Sequence, residues 1–363
     1  MVYVRLTVAL GRVREDLAGL LDEASLRELC RGEGMTWRER LLDPVTTIHL
    51  FLAQILHRNT ACAHIPRIAG RLFTASAYCQ ARARLPLRVC QALLRRLADT
   101  AWPERAGHRT WLVDGTGVSM PDTPALQRAY GQPAAQRPGC GFPVAKVLAL
   151  FDSASGMLRA LHTAPLGAHD LSQVPLIHPE MRPGDILIGD RAYGSFAHLA
   201  VLAGRGLHGL FRMHQKRVVD FTPGRDSPPR WRRKKLSGKP RSTWVRSLGP
   251  EDQVVEWYRP YPRAEWMSKE DHAALPLSLP VRELRYRVDR PGFRVEVVTL
   301  ATTLLDAEAY PAEELAGMYL SRWQVEISRS QCDRNNTLYQ VERSAYCGCV
   351  CAVGAGTLVS QAA

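Results

Sequence analysis

WLVDGTG, residues 111–117, and DILIGDRAYG, residues 185–194, are the two stretches on which the fold of this chain turns. In the first, Trp111, Leu112 and Val113 favour extended backbone, and Gly115 and Gly117 follow at once, so a strand is expected to end at Asp114 with a sharp turn behind it. In the second, Ile186, Leu187 and Ile188 form a short apolar run typical of a buried strand. Gly189 sits where another backbone approaches closely, and Asp190 ends the strand. Two acids are thereby placed at strand ends. A third, Glu326 in YLSRWQVE, lies in a stretch without Pro or Gly, where Tyr319, Arg322 and Glu326 at i, i+3 and i+7 share one helix face.

Between these markers the periodicities predict strands over 110–114, 144–151 and 157–163, a helix near 169–178, a strand over 185–189, a helix over 195–203 and a strand over 207–213. Strands followed by alternation with helices indicate a mixed α/β sheet with covered faces. Residues 1–105 carry apolar residues at helical spacing, as in LAGLLDEASLRELC and VTTIHLFLAQILH, and read as an N-terminal helical domain. SAYCQARARLP and RVCQALLRRLADT add basic helix faces, suited to DNA backbone contact or simply to solvent. The sheet core then spans 106–217, and 218–300 reads as a β-rich, basic insertion. The core closes with a helix within 301–345, and 346–363 forms a tail of different character.

Three converging carboxylates suit Mg2+ or Mn2+, hard cations that take oxygen ligands and keep several waters. A pair of such ions can activate the attacking oxygen and neutralise the leaving one in phosphodiester displacement. Each acid has a plainer reading: Asp114 as a turn former, Asp190 as the ion-pair partner of Arg191, and Glu326 as a solvated residue paired with Arg322. Their combination favours the metal site.

The chain has 363 residues, of which 46% are apolar, and a formal net charge of +13. From Arg212 to Arg246 twelve Lys or Arg stand against two Asp, a local net of +10. A strip of this kind, with Arg232, Arg233, Lys234 and Lys235 at its centre, reads as a phosphate-binding surface. The prolines around it read equally as a solvated loop. Trp231, Trp244, Trp257 and Trp266 lie in the insertion, where a tryptophan either stacks on a flipped base or packs in the core. Cys30, Cys62, Cys79, Cys90 and Cys140 show no pairing pattern and are expected reduced and buried. The spacing of Cys347, Cys349 and Cys351 does not suit zinc. The uncharged last 20 residues are interrupted by polar residues and are not expected to span a membrane, and no signal-peptide layout opens the chain.

WLVDGTGVSMPDTP, GFPVAKVLALFD, GDILIGDRAYG and YLSRWQVE, in this order, resemble the DDE transposases of bacterial insertion sequences, specifically insertion-sequence family four with its Tyr-x2-Arg-x3-Glu-x6-Lys signature. The resemblance implies an RNase H-like catalytic core with a β-rich insertion, with Asp114, Asp190 and Glu326 as ligands of two Mg2+ or Mn2+ ions. It also implies phosphate contacts from Tyr319 and Arg322, and metal-dependent cleavage and strand transfer at terminal inverted repeats. The partners implied are double-stranded DNA, at the transposon ends and the target, and a second copy of the chain as a homodimer. The location implied is the cytoplasm, on the nucleoid when DNA is bound. One position departs from the signature: the Lys expected seven residues after the Glu is Asp333, and a carboxylate does not replace a cation facing phosphate. With the uncharged tail, this leads us to expect a frameshift shortly after the Glu326 codon and an aberrant, shortened C-terminus. The rival readings are an inactive DNA-binding remnant and an RNase H-like nuclease.

Overall fold

The structure is a computed structural model that describes residues 19–57, 60–100, 108–120, 122–137, 139, 141–154, 156, 158–226, 240–261, 263–288 and 296–322. Glu326, the positions of Arg232, Arg233, Lys234 and Lys235, Trp231, Asp333, the four distal cysteines and the tail therefore lie outside the described residues. The chain forms two compact units: residues up to 106 join 117–166 in one, and 107–116 join 167–324 in the other.

The first unit opens with helices α1 (Glu23–Gly32), α2 (Pro44–Leu56), α3 (Ile65–Ala69), α4 (Ala75–Ala83) and α5 (Leu87–Thr100). Their starts are set by short polar side chains that satisfy free backbone N–H groups: Asp22 accepts from Ser25 N, Asp43 from Thr46 N and Thr74 from Ala77 N. The Asp22 cap places the start of α1 after LAGLLD. Leu26, Leu29, Cys30, Val45, Ile48, Leu52, Val89 and Leu93 form the core of the bundle. Several arginines of the basic helices are tied inward: Arg82 donates to Gln54 Oε1 (3.1 Å) and lies over the Phe51 ring, and Arg88 donates to Glu33 O. Cys30 is buried, whereas Cys79 is exposed.

In the same unit an antiparallel hairpin forms from β2 (Val144–Asp152) and β3 (Leu158–Pro165). A helix that the sequence reading omits, α6 (Pro124–Tyr130), precedes it. Its signal is present in the sequence, with Thr123 as N-cap and Pro124 at the first helical position.

The second unit holds β1 (Thr110–Ser119, whose last residues run into the first unit), α7 (Asp170–Gln173), β4 (Ile186–Gly189), α8 (Phe196–Gly204) and β5 (His208–Arg212). It continues with β6 (Thr243–Gly249), β7 (Asp252–Tyr258), α9 (Lys269–Ala274), β8 (Ser278–Val288) and β9 (Glu296–Thr302), and its last described helix is α10, over 312–322. Its strands are hydrogen-bonded in the order β1-β4-β5-β9-β8-β7-β6. β1, β4 and β5 are mutually parallel and the remainder antiparallel. The strands read as an insertion thus continue the sheet of β4 and β5, because β9 pairs with β5 through Leu210–Thr302 and Arg212–Leu300. All four β4 residues are buried, as expected for a parallel strand covered on both faces. α8 packs on β5 over Gly209, where a Cβ would lie 2.6 Å from Leu199 Cδ2.

β1 does not end at Asp114; it runs on to Ser119, with Asp114, Thr116 and Val118 half-buried and Gly115, Gly117 and Ser119 exposed. Period-2 alternation continues through the glycines, so they serve as extended residues on the open face and make no turn.

β8 buries two consecutive charged residues on opposite faces. Arg282 is fully buried and grips Asp252 with two bonds (Nε–Oδ1 2.8 Å, Nη2–Oδ2 2.5 Å). Its remaining nitrogen donates to Asp306 O (3.3 Å) and Tyr310 O (2.7 Å), in the turn that leads to α10. Glu283, on the other face, accepts from Trp257 Nε1 (2.8 Å) and Gln253 Nε2 (2.9 Å), and burial pushes its pKa up. The Arg217 guanidinium lies 3.4 Å from the Trp257 ring centre, where burial lowers its pKa to about 10. Arg225 donates to Asp220 O and Ser242 O. Two cations of the basic strip, Arg217 and Arg225, and one tryptophan of the insertion, Trp257, are therefore held by contacts within this unit.

Asp252→Ala leaves the Arg282 guanidinium buried without its carboxylate, and is expected to cost about 3–5 kcal/mol. The shift in urea midpoint measures it, and a change under about 1 kcal/mol would show that the pair does not hold the sheet to the turn.

Candidate active site

The pairing of β1 with β4 sets the position of the two described acids. Thr110 is paired with Ile186, Trp111 with Leu187 and Leu112 with Ile188. The same offset, continued two residues past the Leu112–Ile188 pair, sets Asp114 opposite Asp190, which follows directly on β4, and neighbouring strands lie about 4.8 Å apart. Both are half-buried. Gly189 permits this closeness: a Cβ there would stand 2.9 Å from Val113 Cγ1 and 2.8 Å from Tyr193 Cδ2. The glycine before Asp190 thus marks the close approach that the sequence predicts.

Each carboxylate is oriented by backbone N–H groups. Asp114 Oδ1 accepts from Gly115 N (2.9 Å), and Asp190 Oδ1 accepts from Ala192 N (2.8 Å). Arg191 turns to Gln215, donating to Oε1 at 2.8 Å. The loop after Asp190 is closed by Tyr193 N donating to Asp190 O (3.2 Å) and by Ser195, which caps α8 by accepting from His198 N (3.1 Å).

α10 carries Tyr319 and Arg322, one turn apart and both buried, at 1% and 7% exposure. The Arg322 guanidinium lies 5.4 Å from the centre of the Tyr319 ring. Burial raises the Tyr319 pKa against the opposing pull of Arg322 and Arg212, and the Asp190 charge adds to the rise. The charges of Arg212, at the end of β5, and of Asp190, directly after β4, are both near enough to act on the Tyr319 hydroxyl. Arg212 is the site residue that sequence reading does not single out; its signal is its position at the end of the strand next to the one carrying Asp190. The third predicted acid, Glu326, lies beyond the described residues. Among those described, no cluster of three or more His, Cys, Asp or Glu could hold a metal ion. Two level carboxylates with a buried Arg and Tyr alongside offer hard oxygen donors and a cation, a set that fits a divalent ion and a phosphate.

Behind this loop lies a buried histidine pair. His198 Nδ1 is 2.9 Å from Tyr193 O, an acceptor only, so Nδ1 carries the proton and Nε2 accepts from His178 Nε2–H at 3.2 Å. The rings are stacked, with centroids 5.3 Å apart. Burial lowers His178 to about 3, with help from His198 and Arg205, and lowers His198 to about 4 against the raising effect of the Tyr193 carbonyl. Both are neutral in the folded chain.

A family model described as "Transposase DDE domain" matches residues 105–338. No curated protein matches the chain. Among solved structures, a cryo-EM structure of the piggyBac transposase synaptic complex with hairpin DNA is similar at 10% identity and a TM-score of 0.39, over 98% of this chain and 76% of that one. Among the described residues, no helix is long and apolar enough to cross a membrane.

The histidine pair makes the fold acid-sensitive. Its folded pKa values lie below the ordinary value near 6.5, so as pH falls the unfolded chain takes up protons first. Stability is full above about 6.5 and declines toward about 4 and then 3, by up to about 1.4 kcal/mol per pH unit for each histidine. Urea titrations at pH 7.5 and 5 measure the loss, and His178→Phe should flatten it. Equal stability at both pH values would contradict the assignment.

Proposed function

Since the chain belongs to the DDE transposase domain family and is by that membership a DNA-cutting transposase, we propose that Asp114, Asp190 and Glu326 are its catalytic carboxylates on an RNase H-like core, in an enzyme of insertion-sequence family four. The observation that carries this reading is the register that brings Asp114 level with Asp190, beside Arg212 and the Tyr319–Arg322 face of α10. Apart from α6 between β1 and β2, the chain order β1, β2, β3, α7, β4, α8, β5 supports the RNase H-like assignment.

DDE transposases generally use divalent metal ions. Asp114 and Asp190 would hold two Mg2+ or Mn2+ ions together with Glu326. When bound, such ions activate the attacking oxygen and neutralise the leaving one. Strand rigidity and the backbone N–H bonds to their Oδ1 atoms would fix the two aspartates for this role. Tyr319 and Arg322 hold a phosphate near the transposon end, with Arg212 adding positive charge at the end of the neighbouring strand. Arg232, Arg233, Lys234 and Lys235 bind backbone phosphates by charge, which makes affinity salt-dependent. The reaction is cleavage at terminal inverted repeats followed by attack of the freed 3′ hydroxyl on target DNA. It is carried out by a homodimer that joins two ends, in a bacterial cytoplasm.

The DNA flanking the gene supplies the ligand: inverted repeats bracketing it are expected. With that end DNA, wild-type protein should bind in a gel shift and nick in the presence of Mg2+, and Asp190→Ala should bind equally but not cut. Cutting by Asp190→Ala would overturn the carboxylate assignment. Wild-type protein that binds without cutting would identify an inactive remnant, and cutting indifferent to the ends would identify a nuclease.

A further inference from the structure

The β1–β4 register has to be specified by something other than the apolar pattern. Leu112, Val113, Ile186, Leu187 and Ile188 are all buried, and β4 is covered on both faces. Alternation of polar and apolar residues, which ordinarily locks a strand in place, is absent from such a run, and one branched side chain substitutes for another if the strands slide. A slip of one residue would turn Asp114 to the opposite face relative to Asp190. A slip of two would separate them by about 6.6 Å along the strands.

At the other end of the same strands stands Asp185, 4% exposed. Its Oδ1 accepts from Arg109 N (3.0 Å), and its Oδ2 accepts from Trp111 Nε1 (2.7 Å) and Arg182 N (2.9 Å). Its own backbone joins both neighbours: the adjacent Ile186 N donates to Arg109 O (2.8 Å), and Asp185 O accepts from His208 N (2.8 Å) at the start of β5. One residue therefore pins three parallel strands at their entry. Arg109 N, Trp111 Nε1 and Arg182 N converge on this carboxylate from two segments, and a slipped register would leave these donors and a buried acid without partners, which is costly.

We infer that Asp185, acting with the Trp111 indole, is a positioning residue for the metal-binding carboxylates: it fixes the β1–β4 register that sets Asp114 beside Asp190. The inference rests on the carboxylate reading proposed above. Its variants follow from the donor count. Asp185→Asn turns an amide N–H2 toward N–H donors on one side of the site. Trp111→Phe removes one of the three donors while keeping an aromatic ring.

The test is direct Mn2+ binding, followed by electron paramagnetic resonance on the full chain with end DNA, with gel shift as the check on DNA binding. Asp185→Asn is expected to weaken Mn2+ about tenfold or more, the size usual for a residue that orients a ligand from behind. Trp111→Phe should weaken it less, and both should bind DNA as wild type does. Leu26→Ala, a core truncation in the helical unit, lowers stability without touching the strands and should keep wild-type Mn2+ affinity; a merely structural Asp185 would behave in the same way. Wild-type Mn2+ affinity in folded Asp185→Asn overturns the inference. If that variant does not fold, wild-type affinity in Trp111→Phe overturns it. Asp114→Ala separates the two levels: its keeping Mn2+ would refute the carboxylate reading itself, whereas its losing Mn2+ while Asp185→Asn retains it would refute only the positioning role.

Discussion

The parallel pairing of β1 with β4 is the constraint on which the site depends. Two carboxylates on different strands are brought level by three pairs of residues, Thr110–Ile186, Trp111–Leu187 and Leu112–Ile188. Hydrophobic burial drives these strands together but is indifferent to sliding, whereas hydrogen bonds to a buried acid are not. The division of labour is therefore apolar side chains for cohesion, Asp185 for register and Gly189 for closeness. Like charges on Asp114 and Asp190 oppose the arrangement, and a divalent cation between them would reverse the sign of that interaction.

The far side of the sheet serves the same site from a distance. β9 attaches the antiparallel strands to β5, and Arg282 joins β8 to Asp252 and to the turn at Asp306 and Tyr310. α10 starts directly after that turn and carries Tyr319 toward Asp190 and Arg212. A buried bidentate pair thus connects the strands between Asp190 and α10 to the helix that carries Tyr319 and Arg322. Rigid attachment matters for such chemistry, because displacement by about 1 Å at a reacting group is costly in rate.

Much of this arrangement was legible in the sequence. Apolar runs of strand length gave β2, β3, β4 and β5 nearly to the residue, and the glycine before Asp190 marked a close approach that the structure contains. The path of β1 was misread because Gly115 and Gly117 favour turns only when nothing holds them extended; here the strand continues through them. The burial of Arg282, Glu283 and Arg217 was not legible either. A run such as VRELRYRV reads as a strand, but the burial of its charges depends on partners distant in sequence, Asp252, Trp257 and Gln253, that neutralise or bond them. Local pattern reports which residues can be buried cheaply, and says nothing of polar groups whose partners lie some thirty residues away. The same limit hid Asp185, whose partners Arg109 and Trp111 lie at the start of β1, some seventy-five residues earlier.

Crystals of the full chain with end DNA, grown with Mn2+ and measured at the manganese absorption edge, test the arrangement most directly. An anomalous peak within about 2.0–2.2 Å of carboxylate oxygens from both Asp114 and Asp190 is the expected result. A manganese peak that contacts one of these residues alone, or that lies elsewhere in the chain, would contradict the placement of the site at Asp114 within β1 and Asp190 directly after β4.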